Sequence, residues 1–311
     1  MCLPKDWAER NGLDRGVVVS VTESADGPLV INPKYNVERT PQVAVIIPSP
    51  LLDRVIIEKY LLGCDIIQVQ AKARISPLDR ERVKQASTRL VGLEIVEENH
   101  SKIVMQCLLE PSTFPPQKIL QREYSIVSGV HRDAVTALLE GDVELAKNVV
   151  ARDNEVNRLY FLLVRVLRTV IQNPGLSEKL GILPIDCLDY RLVASLVESI
   201  GDHSASIGET VIKLGGAKIA DNLSKLILHL HNVAYGAHEN AIRAVFYHDV
   251  SVAESVRSER EKVESIFHEI ETAILDLPAD VGSHLLAVAS SIHQIYDNSL
   301  DIADLVMSKL P

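Results

Sequence analysis

The stretch GVHRDAVTALLEGDVELAKNV at residues 129–149 decides the fold, because the chain repeats its pattern as GAHENAIRAVFYHDVSVAESV at residues 236–256. A shift of 107 residues superposes identical amino acids at eight positions, which are Gly129, His131, Ala134, Ala137, Asp142, Val143, Ala146 and Val149. Self-similarity at a fixed offset is typical of a duplicated structural unit. The sequence therefore predicts two copies of one unit.

Each copy is predicted to contain three long helices. Apolar residues recur at helical spacing after the segment EPSTFPP at residues 110–116, which is predicted to be a linker. The predicted helices lie at residues 117–140, 143–171, 186–214, 219–247, 250–275 and 280–308. The third and sixth helices match at a shift of 95 residues, because the first copy has a longer connection near residues 173–181. We expect a mainly α fold with a pair of three-helix bundles at 115–311, divided into repeat 1 at about 117–216 and repeat 2 at about 217–311.

The chain upstream of the linker is predicted to form two smaller parts. Residues 43–114 alternate between apolar strands (43–47, 66–70, 93–97 and 103–108) and helices (51–62 and 77–90), which predicts a small α/β domain. Residues 1–42 are short and turn-rich, with a helix at 5–11 and strands at 17–21 and 29–31 joined through Asp26-Gly27. The fold class is therefore multidomain and mainly α, with a β-rich N-terminal segment.

Composition narrows the class of protein. Hydrophobic residues make up 47% of the 311 residues and charged residues 24%, as in globular domains. No apolar run reaches the ~20 residues that cross a bilayer, and the start has no signal-peptide core, so we expect a cytoplasmic protein without membrane insertion. The net charge of -10 argues against broad, sequence-independent binding of nucleic acid. The four cysteines lack the close pairs of zinc or redox motifs.

Paired acidic residues at helical spacing are the candidate binding groups. In the third helix, Glu198 and Asp202 lie four residues apart, on the side opposite an apolar seam that runs from Val193 to Leu214. Two carboxylates one turn apart repel each other unless a cation or a proton lies between them. Comparable spacings recur at three other places, which are Asp153 with Asn157, Glu261 with Glu264, and His293 with Asp297.

The recurrence of these pairs in a duplicated unit favours a metal site, although any single pair is more often a solvated helix face. Oxygen-rich ligands with an occasional imidazole suit iron, manganese, magnesium or zinc, so the residue types leave the identity of the divalent or trivalent metal ion open.

A family resemblance rests on two of these stretches. LVESIGDHSASIGE at residues 196–209 resembles the signature of the PhoU family of phosphate-uptake regulators, and ARDNEVNRLY at residues 151–160 resembles the family's other acidic repeat. The resemblance implies metal clusters held on the bundle surface, with Asp153, Asn157, Glu198 and Asp202 as ligands. The second copy departs from the pattern, because His293 stands at the position of Glu198 and Arg260 at that of Asp153.

The N-terminus carries a second resemblance. LPKDWAERNGLDRG at residues 3–16 is similar to the later part of the AbrB/SpoVT swapped-hairpin DNA-binding domain, which precedes a PhoU-type bundle in archaeal regulators. The opening strand and basic loop of that family are not present before Met1, so the segment is expected to be truncated and to bind DNA weakly.

These observations predict a metal-binding regulator of phosphate homeostasis that acts through protein contacts. The expected partners are a second copy of the chain and phosphate-transport or signalling proteins, with DNA as a further possibility. One alternative is a transcription factor in which the bundle serves for dimerisation or sensing. The other is a carboxylate-bridged metal enzyme, but the sequence contains no nucleophile elbow, phosphate-binding glycine loop or dinucleotide fingerprint, so we expect no enzyme activity.

Overall fold

The computed structural model describes residues 3–23, 27, 29–33 and 41–306. Contacts divide the chain into two compact units, Met1–Pro41 and Gln42–Pro311. Most of the chain is helical, and strands occur only in its first part among the described residues. The predicted fold class, a mainly α protein with a small sheet region before a helical bundle, is confirmed.

The N-terminal unit has one short helix and one hairpin. Helix α1 spans Lys5–Arg10, and strands β1 (Ser20–Glu23) and β2 (Leu29–Asn32) pair antiparallel. The first strand starts three residues later than predicted, because residues 14–17 form a turn in which the Val17 amide donates to the Asp14 carbonyl. Gly27 has a φ of +87°, as a hairpin turn requires. Asp26 of the predicted turn lies outside the described residues.

The α/β segment of the second unit contains the four predicted strands and two predicted helices. Their bounds are β3 Val43–Ile46, α2 Leu52–Leu61, β4 Ile66–Gln70, α3 Pro77–Thr88, β5 Leu93–Glu98 and β6 Lys102–Cys107. The sheet has the order β3-β4-β6-β5, in which β3 and β4 are parallel and the other pairs are antiparallel. Both helices contribute to one small core with the sheet, where Leu52, Ile56 and Tyr60 are fully buried.

The described part of the helical region contains eight helices, because the fifth of the six predicted long helices is divided into α9 and α10 and the short α6 was not predicted. Their bounds are α4 Pro116–Glu140, α5 Val143–Gln172, α6 Pro174–Leu180, α7 Asp186–Lys213, α8 Asp221–Tyr247, α9 Val250–Ser258, α10 Arg260–Ile274 and α11 Ala279–Asp304. The predicted fifth helix is interrupted at Glu259, whose ψ of -4° turns the backbone out of α geometry. Residues 307 and 308 of the predicted sixth helix lie outside the described residues.

The two repeats end their first helices in the same way. Gly141 after α4 and His248 after α8 both adopt left-handed backbone conformations, with φ of 70° and 52°. Asp142 and Asp249 then cap the next helix, accepting hydrogen bonds from Leu145 N at 2.9 Å and Ser251 N at 3.0 Å. His248 is the only non-glycine with a positive φ among the described residues, and it stands where the first repeat has a glycine.

The apolar seam of α7 is buried as predicted. Val193, Val197, Ile200, Ser204, Ile207 and Val211 are all buried, and α7 packs against both α4 and α5. Gly208 allows this close approach, because a Cβ there would lie 3.0 Å from Cγ1 of Val149. The result is a tight three-helix layer that leaves Glu198 at its edge.

Arg165 joins the α/β segment to the bundle. Its guanidinium, 4% exposed, donates from Nη1 to the carbonyl oxygens of Tyr60 at 2.6 Å and Cys64 at 3.0 Å. These carbonyls lie at the end of α2, where helix carbonyls lack partners and a cation is favourable. The two segments thus belong to one compact unit, while the domain boundaries at 42 and 114 stay predictions about independent folding.

None of the described helices is both long enough and apolar enough to cross a membrane.

Candidate metal centre

The structure brings together the four residues predicted as ligands in the first repeat. Asp153 and Asn157 lie one turn apart on α5, and the Asn157 Nδ2 donates to Asp153 Oδ2 at 2.9 Å. Asp202 on α7 raises the pKa of Asp153, and both aspartates raise the pKa of Glu198, one turn before Asp202, so the three carboxyl groups lie near one another. Neighbouring helices thus supply three carboxyl groups and one amide to a single half-buried face.

The carboxyl groups of this face have raised pKa values. Burial, followed by repulsion from Asp202, raises the pKa of Asp153 to about 6. Burial and repulsion from Asp202 and Asp153 raise the pKa of Glu198 to about 7, and burial also raises the pKa of Asp202. Desolvation and like charge both disfavour the ionised form, so a cation at this face would relieve both costs.

Buried oxygen atoms without partners test whether these residues fit a cation. Asp153 Oδ1 is inaccessible to solvent and has no hydrogen-bond partner among the described residues. The same holds for both carboxylate oxygens of Glu123, on α4, which is fully buried and whose pKa is raised by burial and by Glu198. Unsatisfied buried acceptors are costly, and a hard cation satisfies several of them at once. The oxygen donors of the first repeat are therefore of the type that suits a metal ion.

The second repeat repeats the arrangement with a histidine. His293 on α11 lies with Nδ1 3.2 Å from Asp297 Oδ2 and with Nε2 3.4 Å from Glu264 Oε1 on α10. These positions correspond to Glu198, Asp202 and Asn157 of the first repeat. Glu261 is exposed and forms no hydrogen bond or ion pair with this group in the part of the chain that the structure describes, and its role as a ligand stays a prediction.

Neither group is arranged as a finished coordination sphere. Within residues 3–23, 27, 29–33 and 41–306, no three His, Cys, Asp or Glu side chains form a set that could hold a metal ion as they stand. The predicted ligands therefore lie as close pairs on facing helices, and side-chain rotation has to bring them onto an ion. Metal binding by these eight residues stays a prediction.

The sequence pattern did not single out Glu123, the fully buried carboxyl group whose pKa Glu198 raises. It lies in the buried stripe of α4 with Leu120 and Val127, where the apolar periodicity dominates the pattern. The signal was available in the repeat, because the shift of 107 residues places Glu123 on Leu230. A carboxylate in one copy where the other has a buried leucine marks a position with a special role.

A chain of buried histidines lies at the contact between α4 and α8. His131 Nδ1 is 3.1 Å from His238 Nε2, and His131 Nε2 is 3.1 Å from His231 Nδ1. Tyr124 Oη, 2.9 Å from His238 Nδ1, extends the chain, and the Tyr235 hydroxyl lies 2.7 Å from that of Ser128. His131 with His238 and Ser128 with Tyr235 are each 107 residues apart, so the network lies where the two repeats meet.

The histidine chain is electrically neutral near pH 7. Burial, followed by the charge of Arg132, lowers the pKa of His231 to about 4. Burial, followed by His231 and Arg132, lowers the pKa of His238 to about 3. Burial also lowers the pKa of His131 well below its usual value. Each neutral imidazole donates one hydrogen bond and accepts one, so the chain satisfies its members. The network therefore connects the two repeats through hydrogen bonds between neutral side chains.

This fold and these acidic faces define a class: tandem three-helix bundles with carboxylate pairs on equivalent helices. The sequence-family model of the PhoU domain matches residues 120–211 and 227–306, with one match in each repeat. The chain belongs to the PhoU family.

Two curated relatives agree with this assignment. The phosphate-specific transport system accessory protein PhoU homolog of Rhizobium meliloti is 23% identical over 200 residues, which cover 61% of this chain and 83% of the relative. The homolog of Caulobacter vibrioides is 25% identical over 184 residues, covering 57% and 79%.

Two solved structures share the fold. PhoU from Pseudomonas aeruginosa matches with a TM-score of 0.57 and 19% identity, covering 63% of this chain and 95% of that one. The phosphate transport system regulatory protein PhoU from Streptococcus pneumoniae matches with a TM-score of 0.52 and 17% identity, covering 61% and 91%.

Proposed function

We propose that the chain is a cytoplasmic regulator of phosphate uptake that acts through protein contacts. The observation that carries this proposal is the match of both repeats to the PhoU domain. It is supported by the relatives, whose names describe accessory proteins of phosphate-specific transport. The partner implied by those names is a component of a phosphate-transport system, and a second copy of the chain is the other partner we expect.

The proposal includes cations bound at the acidic faces of both repeats. Asp153, Asn157, Glu198 and Asp202 would hold them in the first repeat, and Glu264, His293 and Asp297 in the second. A bound metal ion supplies positive charge at each face, which allows the half-buried carboxylates to ionise together. Oxygen donors suit magnesium, manganese and iron, whereas the imidazole of His293 also suits zinc.

Two other functions receive less support. A DNA-binding role rests on the resemblance of residues 3–16, and the charged residues there are of mixed sign. A carboxylate-bridged metal enzyme needs ligands directed into an enclosed bundle core, whereas Asp202 is exposed at the edge of the bundle. We therefore propose a regulatory rather than a catalytic role.

Phosphate uptake in the protein's own host tests the proposal. Deleting the gene should remove the repression of labelled-phosphate uptake that normally follows a shift from low to high external phosphate, and the wild-type gene should restore it. The double variant Glu198→Ala with Asp202→Ala should restore less of this response if the cation face takes part. Unchanged uptake in the deletion strain at both phosphate levels would contradict a regulatory role.

A further inference from the structure

A cleft lies where the α/β segment meets the first repeat of the bundle. Its walls come from the turn between α3 and β5, from the linker before α4, and from the neighbouring helices α4 and α5. The cleft has a volume of about 440 Å³, which lies within the range of about 300–1,000 Å³ that is typical of small-molecule sites. All of these elements belong to one compact unit, Gln42–Pro311.

The inner wall of the cleft is apolar. Three of its side chains are buried and three are partly buried, and they are Ile119, Leu159, Leu162, Val91, Phe114 and Pro115. Val91 and Phe114 also pack against the core of the bundle. A wall of this kind gains free energy by covering the apolar part of a ligand.

Hydrogen bonds hold the walls of the cleft in place. Tyr60, a fully buried residue, donates from its hydroxyl to the Val91 carbonyl at 2.9 Å. In the linker, Thr113 Oγ1 donates to the Glu110 carbonyl at 2.8 Å. The cleft is therefore formed before any ligand arrives, which lowers the entropic cost of binding.

Positive charges lie beside the apolar wall. Lys118 and Arg122 on α4 and Arg158 on α5 line the cleft, and all three are exposed. Among the described residues of the lining, Glu155 is the only acidic one, and it already pairs with Arg122 at 3.0 Å. Lys118 and Arg158 form no ion pair within the described part of the chain. The cleft is thus locally positive, although the chain as a whole has a net charge of -10.

The second repeat does not reproduce this combination of residues. The shift of 107 residues places Arg158 on Ser265 and Leu162 on Glu269, which is exposed. The three-helix unit therefore folds with a neutral residue at the first position and a carboxylate at the second. The basic and apolar residues of the cleft are features of the first repeat, against which the α/β segment packs.

We propose that this cleft binds a small organic anion with an apolar body, which lies against the inner wall while the anionic head group lies beside Lys118 and Arg158. A ligand in this position contacts the α/β segment, the linker and two helices of the bundle at once. The inference goes beyond the regulatory function proposed above and does not depend on cation binding. An apolar ligand without charge leaves the two cations unused, and a bare anion leaves the apolar wall uncovered, so tight binding needs both parts.

Two fluorescent dyes with the same apolar body test this inference. Anilinonaphthalene sulfonate is an anion, and phenylnaphthylamine is its uncharged analogue. Each dye is titrated into the full chain in a chelator-containing buffer, so that metal ions play no part. Lys118→Gln with Arg158→Gln removes the two cations, and Leu159→Gln makes the inner wall polar. Lys147→Gln with Arg243→Gln removes an exposed lysine and an exposed arginine outside the cleft, as the matched control.

The wild type should bind the charged dye more tightly than the uncharged one. Lys118→Gln with Arg158→Gln should weaken binding of the charged dye about fivefold, as expected for two exposed ion pairs, and should leave the uncharged dye unaffected. Leu159→Gln should weaken the binding of both dyes, and the control should match the wild type. Dodecyl phosphate should displace the charged dye, whereas inorganic phosphate at the same concentration should not.

Three results would overturn the inference. They are no binding of the charged dye to the wild type, unchanged affinity after Lys118→Gln with Arg158→Gln, and displacement of the dye by inorganic phosphate alone. If Leu159→Gln does not fold, Thr113→Phe, which narrows the cleft from an exposed position, takes its place and has to weaken both dyes. Loss of the proposed regulatory function or of metal binding would leave these dye measurements unchanged, so the two failures are distinguishable.

Discussion

The buried histidine chain should make the folded state sensitive to acid, and His231 is the best place to measure this. Its pKa is lowered to about 4 in the fold, compared with about 6.5 in an unfolded chain. The folded state therefore stays neutral at this site while the unfolded state takes up a proton. The stabilisation is fully present above about pH 6.5 and is lost progressively as the pH falls toward 4.

The size of the effect follows from this difference. One such histidine reduces the free energy of unfolding by about 1.4 kcal/mol per pH unit once the unfolded state is protonated. Between pH 7.5 and pH 5.0, the integrated loss from His231 alone is about 2 kcal/mol. Glu198 and Asp153, whose pKa values are raised to about 7 and about 6, act in the opposite direction, because their folded forms take up protons first. Only a comparison with a variant therefore isolates the histidine.

The variant His231→Asn removes the titrating group and keeps an acceptor. The asparagine amide can replace Nδ1 opposite His131 Nε2, now 3.1 Å away, because its Oδ1 accepts and its Nδ2 donates. Urea unfolding of both proteins in a chelator-containing buffer, at pH 7.5, 6.5, 5.8 and 5.0, gives the free energy of unfolding. We expect the advantage of the wild type over the variant to shrink by about 2 kcal/mol over this range.

The exposed His268 on α10 provides the matched control. His268→Asn should change the free energy of unfolding by no more than ~0.5 kcal/mol at each pH, as for ordinary surface substitutions. A difference between the wild type and His231→Asn that does not change with pH would show that His231 titrates normally in the fold. The neutral histidine chain would then be wrong.

Further predictions concern packing and domain contact. Arg165→Met should reduce the free energy of unfolding by about 3 kcal/mol, because buried carbonyls at the end of α2 lose a charged donor. Substitution of the exposed Arg168 by Met on the same helix should change this free energy little. Equal effects of the two substitutions in urea unfolding would refute the anchoring role of Arg165. Gly208→Ala should destabilise by about 1–3 kcal/mol, because its Cβ would lie 3.0 Å from Val149 and 3.1 Å from a backbone oxygen. Gly236→Ala, which meets nothing within 4 Å, should stabilise by about 0.5–1 kcal/mol, and the same sign for both in thermal melts would contradict the packing described.

The helices could be predicted because the signals that define them are local and repeated. Asp142 and Asp249 cap equivalent helices, and the seam of α7 has the helical period throughout. The break at Glu259 could not be predicted, because the residues around it include neither glycine nor proline. The start of β1 was predicted too early because Val17, a typical strand residue, lies in the turn before the strand.

The residues of the candidate site could be predicted from the sequence, but the burial of their side chains could not. The spacing of Glu198 and Asp202 indicated that they share one face of a helix. The sequence does not show which helix packs beside that face, so the approach of Asp153 from α5 was inferred only from the family resemblance. Glu123 was hidden by its apolar neighbours. His131 and His238 are identical across the repeat, but the hydrogen bond between them could not be predicted, because contacts between the repeats depend on how the two bundles meet.

Metal content of the purified protein tests the account most directly. The wild type and the double variant Glu198→Ala with Asp202→Ala are purified in parallel, exposed to a mixture of iron, manganese, magnesium and zinc, desalted, and analysed for elements. The account predicts at least one tightly held metal ion per wild-type chain and a clear loss in the double variant, while both proteins remain equally helical. Equal metal content in the two proteins, or none in the wild type, would contradict the assignment of the acidic face of the first repeat as a cation site.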